Sequence, residues 1–153
     1  TSFNYAYVPW LYDKLNKKDQ STNIKIVRFT YFYFIIILIF AFGLSISSHF
    51  LLRLLVGKDF QKAASIIVWI SLGYAFDGMY YMVTNYIFYS YKTYLLAVIT
   101  LISGILNILM TLFLVEINNM VGAAQAFMIS YFFQFLFTWI VSAKVYQMPW
   151  RIL

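Results

Sequence analysis

Residues 29–52 read FTYFYFIIILIFAFGLSISSHFLL, and this stretch contains no Asp, Glu, Lys or Arg. A helix needs about 20 mainly apolar residues to cross the hydrocarbon core of a bilayer. The stretch is long enough to do so, and its apolar residues do not alternate with polar ones as those of a membrane β-strand do. It therefore predicts a membrane-spanning helix and an all-α fold.

The composition of the whole chain agrees with this prediction. The 153 residues are 63% hydrophobic and only 10% charged, whereas a soluble domain is about half apolar and about a quarter charged. A chain with so few polar side chains cannot cover a soluble core with a polar surface. We therefore expect an integral membrane protein, whose first partner is the lipid bilayer.

Three more stretches of similar length contain at most one charged residue each. Together with the first stretch they predict four membrane-spanning helices, at about residues 28–52, 63–91, 93–115 and 122–143. The opening TSFNYAYVPWLYDKLNKK is interpreted as the end of a preceding helix. The predicted fold is a polytopic transmembrane helical bundle, with residues 1–153 in one region. Because the chain does not begin with Met, we expect a fragment of a longer protein or a truncated frame.

The distribution of basic residues predicts how the bundle is oriented. One side carries eight of them and the other side three: Lys14, Lys17, Lys18, Lys25, Arg28, Lys92, Lys144 and Arg151 against Arg53, Lys58 and Lys62. Lys and Arg are concentrated in cytoplasmic loops, so the N-terminal loop and the C-terminal tail are predicted to be cytoplasmic. The net charge of +6 is explained by this topology, and no nucleic-acid partner is expected.

One carboxylate interrupts the second predicted span. Asp77 is the only charged residue between Lys62 and Lys92, and an Asp in the middle of a membrane helix costs about 2.5–3.5 kcal/mol on insertion. Protonation or contact with a water-filled cavity would lower that cost. Asp77 is therefore interpreted as a cavity-lining or proton-accepting residue. The alternative is a protonated Asp77 that only bonds to neighbouring hydroxyls.

Further polar residues recur at helical spacing in the predicted spans. Tyr81 lies one turn from Asp77, Asn107 is near the middle of the third span, and Ser130 and Gln134 lie one turn apart in the fourth. An unsatisfied amide in the membrane costs several kcal/mol, so Asn107 must face protein or water. These residues are candidates for a polar substrate cavity with Asp77; the alternative is that they hold helices together by hydrogen bonds.

A second group of candidates lies at the non-cytoplasmic end of the first span. His49 and Arg53 are one helical turn apart there, and Lys62 lies in the predicted loop that follows. Together they predict a basic rim that attracts anionic headgroups. The alternative is ordinary interfacial placement of long basic side chains, whose charged groups reach out of the membrane.

The residues that most enzymes use are scarce. The chain has no Cys, one His and five acidic residues that are scattered along it. This pattern predicts no Ser–His or paired-Asp catalytic site in the membrane, and it predicts no cluster of metal ligands. We therefore expect no catalysis, no metal and no cofactor.

Four stretches, taken in order, carry a resemblance to a known family. FNYAYVPWLYDKL is similar to an aromatic–Pro–aromatic helix ending, and LLVGKDFQKAASIIVWISLGYAFDGMYYMVTNYIFYSYKT resembles a G-x-x-[FY]-x-x-A loop with the helix after it. GILNILMTLFLVEINNMVGAAQAFMISY looks like an L-N-x-x-L helix, a short turn and a G-A-A helix start, and KVYQMPW resembles the following tail. In this order they resemble the C-terminal half of polysaccharide flippases, closest to the O-antigen (Wzx-type) branch of the multidrug, oligosaccharidyl-lipid and polysaccharide exporters.

The resemblance implies a fold and a function. The chain would be the end of the eighth helix and helices nine to twelve of a two-lobed transporter, partnered by the N-terminal lobe that it lacks. Such flippases move undecaprenyl-pyrophosphate-linked oligosaccharides across the bacterial inner membrane by alternating access, for O-antigen or capsule biosynthesis. One departure is that EINNMVG has no proline where such turns often carry one. Asp77 is not a signature of the family, so the resemblance assigns it no fixed proton site.

Two other functions remain open at the level of the sequence. One is a multidrug or cation exporter of the same superfamily, which would carry an amphipathic cation. The other is a membrane protein that does not transport, a remnant whose polar residues only join helices.

Overall fold

A computed structural model describes residues 2–17, 19–55 and 64–150 as helices and turns. The helices are α1 (Ser2–Asn16), α2 (Gln20–Leu55), α3 (Ala64–Tyr89) and α4 (Tyr94–Val145). The last three are each long and apolar enough to cross a membrane. Within these residues the all-α prediction is confirmed, with three helices of membrane-spanning length.

The bounds of α2 and α3 show how well the positions of charged residues predict where a helix begins and ends. The bounds of α3 lie within two residues of the predicted span at 63–91. The helix α2 begins at Gln20, eight residues before the predicted span. The prediction started the span after Arg28, but an exposed Lys25 or Arg28 side chain can point into solvent from a continuing helix. A charged residue therefore marks the end of the apolar segment of a helix, but the helix itself can continue beyond it.

The helix α4 contains both the third and the fourth predicted spans, and it reverses direction within its length. Asn119 has non-helical dihedral angles, with φ 50° and ψ −130°, and Asn is one of the few residues other than Gly enriched at positive φ. The Asn107 amide donates a 3.2 Å hydrogen bond to the Ser130 hydroxyl, 23 positions later. A straight helix would separate these residues by about 35 Å. We name the two arms α4a (residues 94–118) and α4b (residues 120–145).

Small residues let the two arms of α4 approach each other closely. A Cβ atom added at Gly122 would collide with the backbone carbonyl of Leu114 on α4a. Ala126, Ser130 and Thr138 follow Gly122 at four- or eight-residue intervals, and all are buried. Packing against small residues is the usual way in which helices associate in lipid.

The helix α3 is the centre of the bundle. It packs against α2 and α4, and α1 packs against α2 and α3. The Tyr89 hydroxyl donates a 2.8 Å hydrogen bond to the Asn16 side chain of α1, and its ring lies 5.4 Å from that of Tyr146 after α4. These contacts gather the end of α1, the α3–α4 turn and the end of α4 at one end of the bundle, which we name the basic end. Asn119 lies at the opposite end, the hairpin end.

The basic end is where the charged side chains of the described residues concentrate. Lys25, Arg28, Lys92 and Lys144 are exposed there, and Lys17 pairs with Asp13 across 3.4 Å. Asp19 caps α2 by accepting hydrogen bonds from the backbone N–H and the hydroxyl of both Ser21 and Thr22. These donors lower the pKa of Asp19 to about 2. The Asp19 carboxylate is therefore charged above about pH 2. The stabilisation that its hydrogen bonds give to the start of α2 is lost as the pH falls toward that value.

Two glycines of α4 provide a matched test of the reversal. Gly122→Ala should lower the free energy of unfolding by about 1–3 kcal/mol, because the new methyl group overlaps the backbone of α4a. Gly104→Ala should raise it by up to about 1 kcal/mol, because a Cβ at Gly104 meets nothing within 4 Å and Ala favours helix. Unfolding followed by circular dichroism in mixed micelles measures both. Equal effects would contradict the close approach of the two arms.

Candidate functional site

Asp77 lies in the middle of α3, 13 residues from Ala64 and 12 from Tyr89. At 1.5 Å per residue, each end of the helix is about 18–20 Å away. Its side chain is partly buried. A carboxylate is thus held at mid-depth of the bundle, as the sequence predicts.

Three tyrosines from three elements lie within electrostatic range of this carboxylate. Tyr33 of α2, Tyr81 of α3 and Tyr131 of α4b each interact electrostatically with Asp77. Tyr81 is four residues after Asp77 and so lies on the same helix face. We name Asp77 and these three tyrosines the Asp77 cluster.

Two glycines beside Asp77 bring the neighbouring helices to the cluster. Gly73 lies one turn before Asp77, and the space that a Cβ would need is filled by the Phe127 ring of α4b. The Phe127 ring is 4.5 Å from that of Tyr131, so this contact sets the register that presents Tyr131 to Asp77. Gly78 gives the same room to Ile37 of α2, one turn after Tyr33.

The Asp77 carboxylate has neither a hydrogen bond nor an ion pair with the described residues. Within residues 2–17, 19–55 and 64–150 the one ion pair joins Lys17 to Asp13, at the basic end. The side chains of the described residues that interact electrostatically with Asp77 are instead phenols, each with an apolar ring and a hydroxyl. Such a site can accept hydrogen bonds from a hydroxyl-bearing ligand, take a proton or attract a cation. It repels a phosphate.

Asn107 and Ser130 form a separate pair between α4a and α4b. Ser130 donates its own proton to the Ala126 carbonyl at 2.8 Å and accepts from Asn107 at 3.2 Å. The two predicted cavity residues thus satisfy each other, as the alternative of helix–helix bonding predicts. Gln134 lies one turn beyond Ser130 and is partly buried. Of the five predicted cavity residues, Asp77 and Tyr81 come together in one place, and Asn107 and Ser130 in another.

The predicted basic rim falls largely outside the described part of the chain. The backbones of His49 and Arg53 belong to the last turns of α2, but their side chains lie outside the described residues. Lys62 lies outside them altogether. The rim therefore stays a prediction.

An apolar groove leads toward the Asp77 cluster from the hairpin end. It lies between α2 and α3, has a volume of about 560 Å³, and includes Tyr74 and Ala75 in its lining. The two serine hydroxyls in its lining are bonded within their own helices: Ser48 donates to the Ser45 carbonyl at 2.7 Å, and Ser71 donates to the Val68 carbonyl at 3.0 Å. Between Asp77 and the basic end, by contrast, the interior is filled with buried side chains, among them Met79, Met82, Val83, Tyr86, Phe34 and Phe135.

Sequence reasoning missed several residues that the structure brings into the site or near it. Tyr33 and Tyr131 each lie among several other aromatic residues, and nothing in the sequence distinguishes them from these neighbours. Asn85 is 2% exposed and donates a 2.9 Å hydrogen bond to the Asn4 side chain of α1. Asn85 could have been found as a second amide in a membrane helix, a residue that must have a partner.

The described residues contain no group of three or more His, Cys, Asp or Glu side chains that could hold a metal ion. Comparison of the chain with protein-family models, curated proteins and solved structures finds no match. What the Asp77 cluster does must therefore be inferred from its own residues.

A double-mutant cycle tests the pairing of Asn107 with Ser130. Asn107→Ala and Ser130→Ala should show a coupling free energy of about 0.6 kcal/mol, up to about 1.7, as measured hydrogen bonds between membrane helices do. The control pairs Asn107→Ala with Ser142→Ala, a buried serine 12 positions further along α4b. Thermal unfolding in micelles gives each term, and equal coupling in both cycles would argue against the bond.

Proposed function

We propose that the chain is part of a membrane transporter that moves lipid-linked oligosaccharides, as its resemblance to polysaccharide flippases implies. The observation that carries the proposal is the Asp77 cluster: a partly buried carboxylate at mid-depth that interacts electrostatically with tyrosines from α2, α3 and α4b. A carboxylate in a membrane helix is a functional site by default, because its insertion is costly. Its partners here suit a ligand rich in hydroxyl groups.

Each part of the cluster has a role in this proposal. Asp77 accepts hydrogen bonds from sugar hydroxyls or takes a proton during the transport cycle. The tyrosines present ring faces to the apolar faces of the sugar and hydroxyls to its polar edges. The pyrophosphate is repelled by Asp77 and binds elsewhere, at the basic rim of His49, Arg53 and Lys62 or in the lobe that the resemblance predicts as a partner.

The membrane arrangement is part of the same proposal. Each arm of α4 contains about 25 residues and is about 38 Å long, more than the hydrocarbon core of about 30 Å. With both arms crossing, the chain spans the membrane four times, which returns its tail to the side where it starts. The positive-inside rule places the basic end in the cytoplasm of a bacterial cell.

A second candidate function has an observation in its favour. A carboxylate among aromatic rings, with no cationic side chain bonded to it in the described residues, is also the chemistry that attracts an organic cation. A multidrug or cation exporter of the same superfamily would use Asp77 in this way. A third candidate, a protein that does not transport, would use the polar residues only to join helices.

The test is export of surface polysaccharide by a strain that carries the gene with Asp77→Asn. Export should fall by about tenfold or more, because the ligand loses a charged hydrogen-bond partner, while membrane insertion is unchanged. The matched control is Glu116→Gln, which removes an exposed carboxylate near the reversal of α4.

The outcomes separate the three candidates. Normal export by Asp77→Asn at equal protein level would refute the oligosaccharide role. Resistance to tetraphenylphosphonium that depends on Asp77 would then support cation export. If the triple variant with changes at Asp77, Asn107 and Gln134 alters neither phenotype, the protein does not transport these substrates.

A further inference from the structure

The residues after α4 fold across the basic end of the bundle. Tyr146 leaves the helix with extended dihedral angles, φ −132° and ψ 112°. Met148 precedes Pro149, which disfavours helix at Met148, and the Trp150 N–H bonds to the Met148 carbonyl at 2.8 Å. The sequence MPW therefore makes a tight three-residue turn. We name residues 146–150 the strap.

Trp150 is the residue through which the strap touches every membrane-length helix. Its ring lies 6.2 Å from Tyr31 of α2, 5.7 Å from Tyr86 of α3 and 5.7 Å from Trp139 of α4b. The Tyr31 hydroxyl also donates a 2.8 Å hydrogen bond to the Trp150 carbonyl. Aromatic pairs at these distances are favourable beyond the area they bury. One side chain thus joins the ends of three helices.

The strap is the outermost layer of the packing that separates Asp77 from the basic end. Met148 is buried with the core, and the Tyr146 ring stacks on Tyr86 at 6.0 Å. Met82 lies one helical turn from Tyr86 in the direction of Asp77 and is 1% exposed. With the strap in place, water at the basic end is kept away from Tyr86 and from Met82 below it.

The strap is held by contacts that leave one polar group unsatisfied. The Trp150 indole N–H is buried and has no acceptor among the described residues. A buried donor without an acceptor lowers the stability of the arrangement that buries it. Released from the bundle, the indole would find water at the membrane interface, where Trp is enriched. The free energy needed to open the strap is therefore lower than it would be if the indole N–H had an acceptor in the closed position.

We propose that the strap is a movable closure of the basic end, which controls the access of water to the Asp77 cluster from that side. The regulation it provides rests on the proposed transport function, because a closure matters only where a ligand or proton must reach Asp77. The strap directly follows α4b, the helix that carries Tyr131 of the Asp77 cluster.

The absence of cysteine in the whole chain allows a direct test by single-cysteine labelling. Met82→Cys is introduced alone, and its reaction with a membrane-impermeant thiol reagent is timed in vesicles of both orientations. Trp150→Ala should speed the labelling from the basic end by about tenfold, because the covering layer is lost. Tyr31→Phe keeps the ring and removes only the hydroxyl that binds the strap, so about threefold is expected. Labelling from the hairpin end should not change.

The control is Trp69→Ala, which removes a partly buried indole near the other end of α3. An unchanged labelling rate in Trp150→Ala and Tyr31→Phe would overturn the closure, as would an equal increase in Trp69→Ala, since that would mean general loosening. If Trp150→Ala fails to insert, Tyr31→Phe decides alone. The assay needs no transport. Normal export by Asp77→Asn would reject the oligosaccharide role and leave the labelling result valid, whereas an unchanged labelling rate would reject only the strap.

Discussion

The close approach of α3 to its neighbours at Gly73 and Gly78 is the contact on which the rest of the structure depends. Phe127 of α4b occupies the place of a side chain at Gly73, and Ile37 of α2 does so at Gly78. Asp77 lies between these two points. A side chain at Gly73 would displace the Phe127 ring, and one at Gly78 would displace the end of the Ile37 side chain and crowd the Tyr33 hydroxyl. The glycines therefore determine both how the helices pack and which groups surround the one mid-depth charge.

Asp77 also differs from the other polar residues in how its hydrogen-bonding capacity is used. The hydroxyls of Thr30, Ser45, Ser130 and Thr138 each donate to a carbonyl four positions earlier in their own helix. Such local bonds satisfy a hydroxyl in the membrane at little cost. A carboxylate has no proton to donate in this way, so its own helix cannot satisfy it. That difference is the physical reason for assigning function to Asp77 and structure to most of the hydroxyls.

The sequence predicts the elements better than it predicts the site. Length and absence of charge locate α3 to within two residues, and the turn between the third and fourth predicted spans contains Asn119. Asn107 was expected to need a partner and has one in Ser130. Tyr33 and Tyr131 were not predicted, because both spans are rich in aromatic residues and nothing in the sequence distinguishes the one ring in each span that approaches Asp77. The strap could not be predicted either, since its contacts join residues more than 100 positions apart, Tyr31 and Trp150.

The two sides of the bundle differ in a way that bears on where a partner lobe would approach. The arm α4a exposes large aliphatic side chains, with Leu101, Ile108 and Leu112 each more than 60% exposed, and a surface of this kind suits lipid. The Asp77 cluster lies on the other side of α4b, between α2 and α3, next to the groove that contains Tyr74. In the proposed transporter, a second lobe that shared the transport path would have to reach the carboxylate there, because α4a contributes no member of the cluster. The exposed aliphatic side chains of α4a and the Asp77 cluster thus lie on different sides of the bundle.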